Sequence, residues 1–287
     1  MWGITGVLYN PEKVSAEEAG TWAVFNNPQY KRQVTLKDNV RDSYFAALGI
    51  LKAEQLTDKA FIADAHYAEQ LGAQMNDVRP ETIAQAQQLL TEMMDNIYSL
   101  ETDSGKADMI TGKIVANYQW SGDAVYAMNE AEQDGAALKF AVPKECTNLW
   151  FDGWVMLKNG IAGDKEKQHA AEAFVNFLSR PDIGYTSSIA GGEDNTVFSY
   201  LDYCYGAEDE DEETMLYPLG YFFSGENNDS AYGIRVAKSQ ADRQLFAQYP
   251  PEDVMKRTAV MEYFDTEANQ AINQMWIDVR CFDITEV

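Results

Sequence analysis

The spacing of apolar and polar residues divides the chain into alternating strands and helices. Residues 2–9 form an apolar, β-prone run closed by the turn signal Asn10-Pro11. A short helical stretch and a loop at Asn26-Asn27-Pro28 occupy residues 12–30. Val34 to Asp38 predicts a strand. A helix follows through Tyr44-Phe45-Ala46-Ala47-Leu48, where Asp38 or Asn39 can accept hydrogen bonds from the free N–H groups of the first turn. Ile83, Ala86, Leu89, Leu90, Met93, Met94 and Ile97 recur every three or four residues, which predicts a helix over 81–98 with Pro80 at its start. Further strands are predicted over 112–120, 137–142 and 148–157, the last a long aromatic one. Ser121-Gly122-Asp123 opens a helix that runs to residue 133. A helix over 165–179 is stopped by Arg180-Pro181, residues 182–206 read as irregular, and Ala268, Ile272, Met275, Trp276 and Val279 share one face of a helix over 266–280. This alternation predicts an α/β protein with largely parallel strand pairing.

At roughly 150 residues per domain, 287 residues suggest about two domains. The 22 Lys and Arg against 46 Asp and Glu give a formal charge of −24. A surface that acidic repels phosphate backbones and anionic lipid headgroups, so nucleic acid and membrane-surface binding are poor explanations; cationic partners or plain solvation fit better. The acidic run Glu208–Glu213 reads as solvated surface. No apolar window is long enough to span a bilayer. Cys146, Cys204 and Cys281 lie far apart and read as idle thiols, with one disulfide as the alternative. His66 and His169 are distant from them and from each other, which argues against a zinc site.

The sequence carries no nucleophile elbow, phosphate-binding glycine loop or paired-histidine metal motif, and so gives no support for an enzyme or a cofactor. A carboxylate-dependent hydrolase is the reading that abundant acids leave open. Aromatic residues beside acids stand out instead. Trp120 precedes Ser121-Gly122-Asp123, and Trp150 and Asp152 are two apart. On one strand, positions i and i+2 point the same way. Trp150 and Asp152 would then offer an indole face beside a carboxylate, a suitable seat for an organic ammonium ion. The competing explanation is that both tryptophans pack the core and the acids cap turns.

At these residues the sequence resembles the polyamine-binding (spermidine/putrescine) subunits of ABC importers, which are type II periplasmic binding proteins. The matching segments, in order, begin with Trp2-Gly3-Ile4-Thr5-Gly6-Val7-Leu8-Tyr9-Asn10, Tyr30-Lys31 and Asp38-Asn39-Val40-Arg41-Asp42-Ser43-Tyr44-Phe45. They continue through Trp120-Ser121-Gly122-Asp123-Ala124, Pro143-Lys144-Glu145 with Leu149-Trp150-Phe151-Asp152, Ala173-Phe174-Val175-Asn176-Phe177-Leu178, and Ile183-Gly184-Tyr185-Thr186. The resemblance implies an extracytoplasmic, periplasmic or cell-surface receptor without cofactor or metal. It would capture a polyamine between two α/β lobes and hand it to a permease and ATPase complex. Residues 3–147 would be a complete second lobe, entered and left through hinge strands at 2–9 and 148–157. Residues 148–287 would be the C-terminal part of an incomplete first lobe, its opening part and an export signal lying upstream of this segment.

The resemblance also implies residue roles. Trp120 and Trp150 would sandwich the methylene chain, Asp152 would pair with one ammonium group, and Asp42 falls where the family binds the other end through a glutamate. Tyr185 matches a tyrosine lining the cleft, and Glu262 aligns with a glutamine near the terminal amine. Asn39 stands where the best-known member has an aspartate, a change that would shift preference among polyamines. The chain is also shorter than the family pattern between Pro181 and Ile183, and residues beyond about 187 match less clearly. A same-fold receptor for another cationic solute or for iron, and a fragment without binding activity, are the alternatives.

Overall fold

A computed structural model describes residues 2–179, 201–207, 213–226 and 230–281. The predictions at Tyr185, at the Pro181–Ile183 shortening, at Gly191-Gly192 and over most of the acidic run lie outside those residues.

Nine strands occur among the described residues: β1 Trp2–Tyr9, β2 Val34–Lys37, β3 Ser99–Glu101, β4 Ala116–Trp120, β5 Lys139–Ala141, β6 Thr147–Phe151, β7 Thr214–Pro218, β8 Gly233–Ala237 and β9 Thr258–Ala259. The first six and β9 form one sheet in the order β3-β2-β4-β1-β6-β9, with β5 also paired to β1. β2 runs parallel to β3 and β4, and β6 parallel to β9. β1 is antiparallel to both β4 and β5, so the sheet is mixed rather than largely parallel. Near-complete burial of β1 marks it as a central strand, but an apolar run carries no information about strand direction.

The chain forms two compact units, residues 4–149 with 253–287, and residues 1–3 with 150–252. In the first, helices cover the sheet. The Val40–Leu51 helix begins where predicted, its Asn39 side chain accepting from Arg41 N and Asp42 N. The Pro80–Met94 helix is shorter than the pattern over 81–98 suggested. The Asn96 amide donates to Phe25 O and Asn27 O, which turns the chain away, and Ile97 enters the core from that turn. Thr266–Arg280 forms as predicted, Asp265 accepts from Ala268 N at its start, and Ile272, Met275, Trp276 and Val279 are buried. Trp22 anchors the core under β4, edge-on to Tyr118 at 4.8 Å and donating from Nε1 to Cys146 O.

In the second unit, Asp164 caps the Lys165–Leu178 helix through bonds from Glu166 N and Lys167 N. β7 and β8 form an antiparallel hairpin over a small core of Leu201, Tyr217, Leu219, Ile234, Val236 and Leu245. Trp2 stacks on Phe222 at 5.6 Å. Trp154, Val155, Leu157 and Phe174 are exposed.

The aromatic strand predicted over 148–157 ends at Phe151; residues 152–157 are not strand and are exposed. The apolar composition of that stretch suggested pairing, yet Asp152-Gly153 breaks the alternation that a half-buried strand requires. The three cysteines are free thiols, Cys146 buried and Cys204 and Cys281 exposed.

Candidate functional site

Three parallel strands, β3, β2 and β4, end side by side at Glu101, Lys37 and Trp120. A helix starts shortly after each, at Ser104, Val40 and Ser121 respectively. Helix N-termini attract acids, and Asp42 and Asp123 sit in the first turns of the helices after β2 and β4. The carboxyl edge of parallel strands is where α/β sheets bind ligands.

The parallel register sets Lys37 opposite Glu101. Both are buried, and the Lys37 ammonium donates to Glu101 Oε1 at 2.9 Å and to Thr102 O at 3.1 Å. Glu101 also accepts from Asn117 Nδ2 at 2.9 Å and from Gly105 N at 2.9 Å. Gly105 is glycine for want of room: a Cβ there would lie 2.4 Å from Asn117 Nδ2. Gln119 holds Asn117 from the other side and accepts from Trp120 N, so one chain of hydrogen bonds runs from the ion pair to the indole residue. Burial lowers the Lys37 pKa, and Glu101 acts in the opposite direction.

Lys37 Nζ lies 4.2 Å from the Trp120 ring centroid, a cation–π contact within the chain. Asp42 is 5% exposed, with the Tyr118 hydroxyl donating to it across a long 3.5 Å contact. Burial pushes its pKa up from 3.8 to about 6, while Lys37, hydrogen bonds from Tyr118 and Trp120, and Arg41 pull it down. Asp123 is paired with Lys106 at 3.1 Å. The site therefore combines an indole, a carboxylate at the edge of ionisation and a buried ion pair.

Of the residues singled out in the sequence, Asp42 and Trp120 meet here. Asn39 is exposed and its side-chain oxygen is engaged in capping, so it orients the helix start that carries Asp42. Glu262 approaches the same helix start through its backbone: its carbonyl accepts from Arg41 at 2.9 Å, and its N–H donates to Asn76 Oδ1. Its side chain is exposed. Arg41 also lies 3.8 Å from the Phe264 ring centroid.

Trp150 and Asp152 belong to the other compact unit. Trp150 is half-buried with an unpartnered Nε1, and Asp152 is exposed one residue beyond the end of β6. The strand argument that points Trp150 and Asp152 the same way does not apply past that end. The sequence reading missed Lys37 and Glu101. A lone lysine closing the otherwise uncharged strand Val34-Thr35-Leu36-Lys37 was the available signal; Glu101 was hidden because β3, only three residues long, follows the helix predicted over 81–98 in a stretch too short to show an alternating pattern. Among the described residues no group of three or more His, Cys, Asp and Glu is placed to hold a metal ion.

The sequence matches the family of bacterial extracellular solute-binding proteins over residues 2–190. The spermidine/putrescine-binding periplasmic protein of Salmonella typhimurium strain LT2 is 26% identical over 183 residues, 64% of this chain and 44% of that protein. The putrescine-binding periplasmic protein SpuD of Pseudomonas aeruginosa is 27% identical over 283 residues, 98% of this chain and 64% of that protein. The chain thus spans less than two thirds of the length of either relative. Among solved structures, the spermidine/putrescine ABC transporter substrate-binding protein PotD of Streptococcus pneumoniae matches with a TM-score of 0.58 at 20% identity, over 97% of this chain and 67% of that one. The TpPotD lipoprotein of Treponema pallidum matches with a TM-score of 0.58 at 16% identity, over the same shares of the two chains. At these identities the likeness establishes the fold, that of two-lobed periplasmic binding proteins.

Proposed function

The chain belongs to the bacterial extracellular solute-binding proteins, a family of binding components and not of enzymes, and we propose that it captures a polyamine, putrescine or spermidine, for an ABC importer. The observation that carries this reading is the buried Asp42 carboxylate beside the Trp120 indole at the carboxyl edge of β2 and β4. An organic ammonium ion placed there is paired by Asp42, and its methylene stem packs on the indole. A cation repays the burial of that carboxylate more fully than a neutral or anionic ligand does. The curated relatives named for spermidine or putrescine support the choice of cation.

The family resemblance further gives Trp150 the role of an aromatic ligand contact and Asp152 that of a carboxylate pairing with an ammonium group. Asn39 acts by holding the helix start that presents Asp42, and the cleft role that the resemblance gives Tyr185 falls outside the described residues. Glu262 contributes through the backbone carbonyl that fixes Arg41. The importer's permease and ATPase are the partners, and the protein works outside the cytoplasm. No described helix is long and apolar enough to cross a membrane.

Isothermal titration calorimetry with putrescine and spermidine tests the proposal. Trp120→Ala and Trp150→Ala are each expected to weaken binding by about tenfold, the worth of a partly desolvated cation–π contact. Asp42→Asn and Asp152→Asn remove charge-assisted hydrogen bonds and are expected to weaken it at least as much. Affinities unchanged in all four variants would reject the site.

A further inference from the structure

The indole that is to receive an amine already carries one. The Lys37 ammonium is buried, 4.2 Å from the Trp120 ring centroid and 2.9 Å from Glu101 Oε1. An ammonium ion on an aromatic face beside a carboxylate is the arrangement in which a ligand's amine would be bound. We propose that Lys37 is a specificity-determining residue, a tethered ammonium that occupies one face of Trp120 and takes up the Glu101 carboxylate, so that this part of the site accepts a single ligand charge, at Asp42. The inference rests on the polyamine reading and sharpens it: a ligand that brings a second ammonium close to the first, as the shorter arm of spermidine does, is disfavoured relative to putrescine, whose two ammonium groups lie further apart.

Three features of the cluster support this. The Lys37 pair is built into the fold, because the strand register sets the two residues opposite each other and Asn117 Nδ2 and Gly105 N hold the Glu101 oxygens. The remaining cations near the site are committed elsewhere, Lys106 to Asp103 and Asp123, and Arg41 to Glu262 O and the Phe264 ring. Glu101 and Asp123 are paired within the chain and Asp38 pairs with Arg280 at 3.3 Å through one oxygen, so among the described residues Asp42 is the carboxylate beside the indole without an ion-pair partner, with Lys37 close enough to act on it through its charge. A second ligand ammonium would meet the Lys37 ammonium as a like charge in a poorly solvated place, where repulsion is strong.

The test compares putrescine and spermidine on the wild-type chain, on Lys37→Met, and on Lys37→Met/Glu101→Gln, with circular dichroism to verify folding. Lys37→Met removes the resident ammonium from beside the indole and the Glu101 carboxylate, and with it the repulsion of a second ligand amine, so the spermidine-to-putrescine affinity ratio is expected to rise about tenfold or more. That variant leaves a buried carboxylate without its cation, so the double variant, which removes both charges, is measured beside it. There the ratio is expected to rise in the same direction by about threefold. If the wild type binds but the ratio stays put in every folded variant, the Lys37 proposal is overturned while the polyamine reading stands. Spermidine binding by the variants but neither polyamine by the wild type supports the Lys37 role and counts against the chain being a polyamine receptor. No binding in any of the three proteins overturns both.

Discussion

Replacing Asp42 by Asn should stabilise the protein at neutral pH while weakening its hold on a cation. In the folded chain the carboxyl keeps its proton up to about pH 6, against 3.8 ordinarily, because burial disfavours the charge. Its contribution to stability is therefore fully present below pH 3.8 and is lost as the pH rises through about 6, since between those values the folded state holds the proton more tightly than the unfolded chain. At 1.36 kcal/mol per tenfold change, ionising Asp42 inside the fold costs about 3 kcal/mol above pH 7. Asn has the same shape and no charge to bury. Urea unfolding followed by circular dichroism at pH 8 should show Asp42→Asn more stable than the wild type by up to about 3 kcal/mol, narrowing to about 1 kcal/mol at pH 4.5. A variant less stable than the wild type at pH 8, or a margin that does not change with pH, would refute the assignment of Asp42 as a carboxylate kept for a ligand at a cost to the fold.

Gly105→Ala should lower the melting temperature, because its Cβ would lie 2.4 Å from Asn117 Nδ2 and 2.7 Å from Glu101 Cδ; overpacking costs about 1–3 kcal/mol, and an unchanged scanning-calorimetry trace would contradict the geometry. Asp77 accepts from Lys52 and Arg79 at 2.7 Å each and from Thr82, and these donors hold its carboxyl well below the usual carboxylate range against the effect of burial. Asp77→Ala should cost about 3 kcal/mol at pH 7, a loss that shrinks as the pH falls below about 4 because the ion pair's advantage is confined to the ionised form. A loss independent of pH would show that packing, not charge, holds that corner. An Ellman titration of the native protein should find Cys204 and Cys281 reactive and Cys146 protected until the chain unfolds, since burial also pushes the Cys146 thiol pKa up; three native equivalents would contradict the fold.

Elements with strong local signals were legible in the sequence. The Thr266–Arg280 helix, the Ser121–Gln133 helix and the Asn39 cap follow from apolar period and side-chain chemistry alone. The antiparallel direction of β1 was not, because pairing direction is a property of the whole sheet. Residues 95–98 escaped because Ile97 continues the helical period while Asn96 is drawn off by carbonyls some 70 positions away in the chain. The β7–β8 hairpin has no turn signature of the kind a short connection would leave. For the site, Asp42 and Trp120 were legible through the family pattern. Lys37 and Glu101 were not, since their meaning lies in a strand register that places Lys37 opposite Glu101 and puts the resulting pair under the indole.

The most direct test of the central claim, that a buried Asp42 beside Trp120 binds an organic cation, is putrescine affinity measured by calorimetry from pH 5 to pH 8. The ligand stays fully charged across that range, while Asp42, raised to about 6, changes its charge within it. Affinity is expected to be nearly constant above pH 7, to fall by about tenfold in total from pH 7 to pH 5, and to lose this dependence in Asp42→Asn. Affinity that is flat with pH in the wild type, or a pH profile that Asp42→Asn leaves intact, would contradict it.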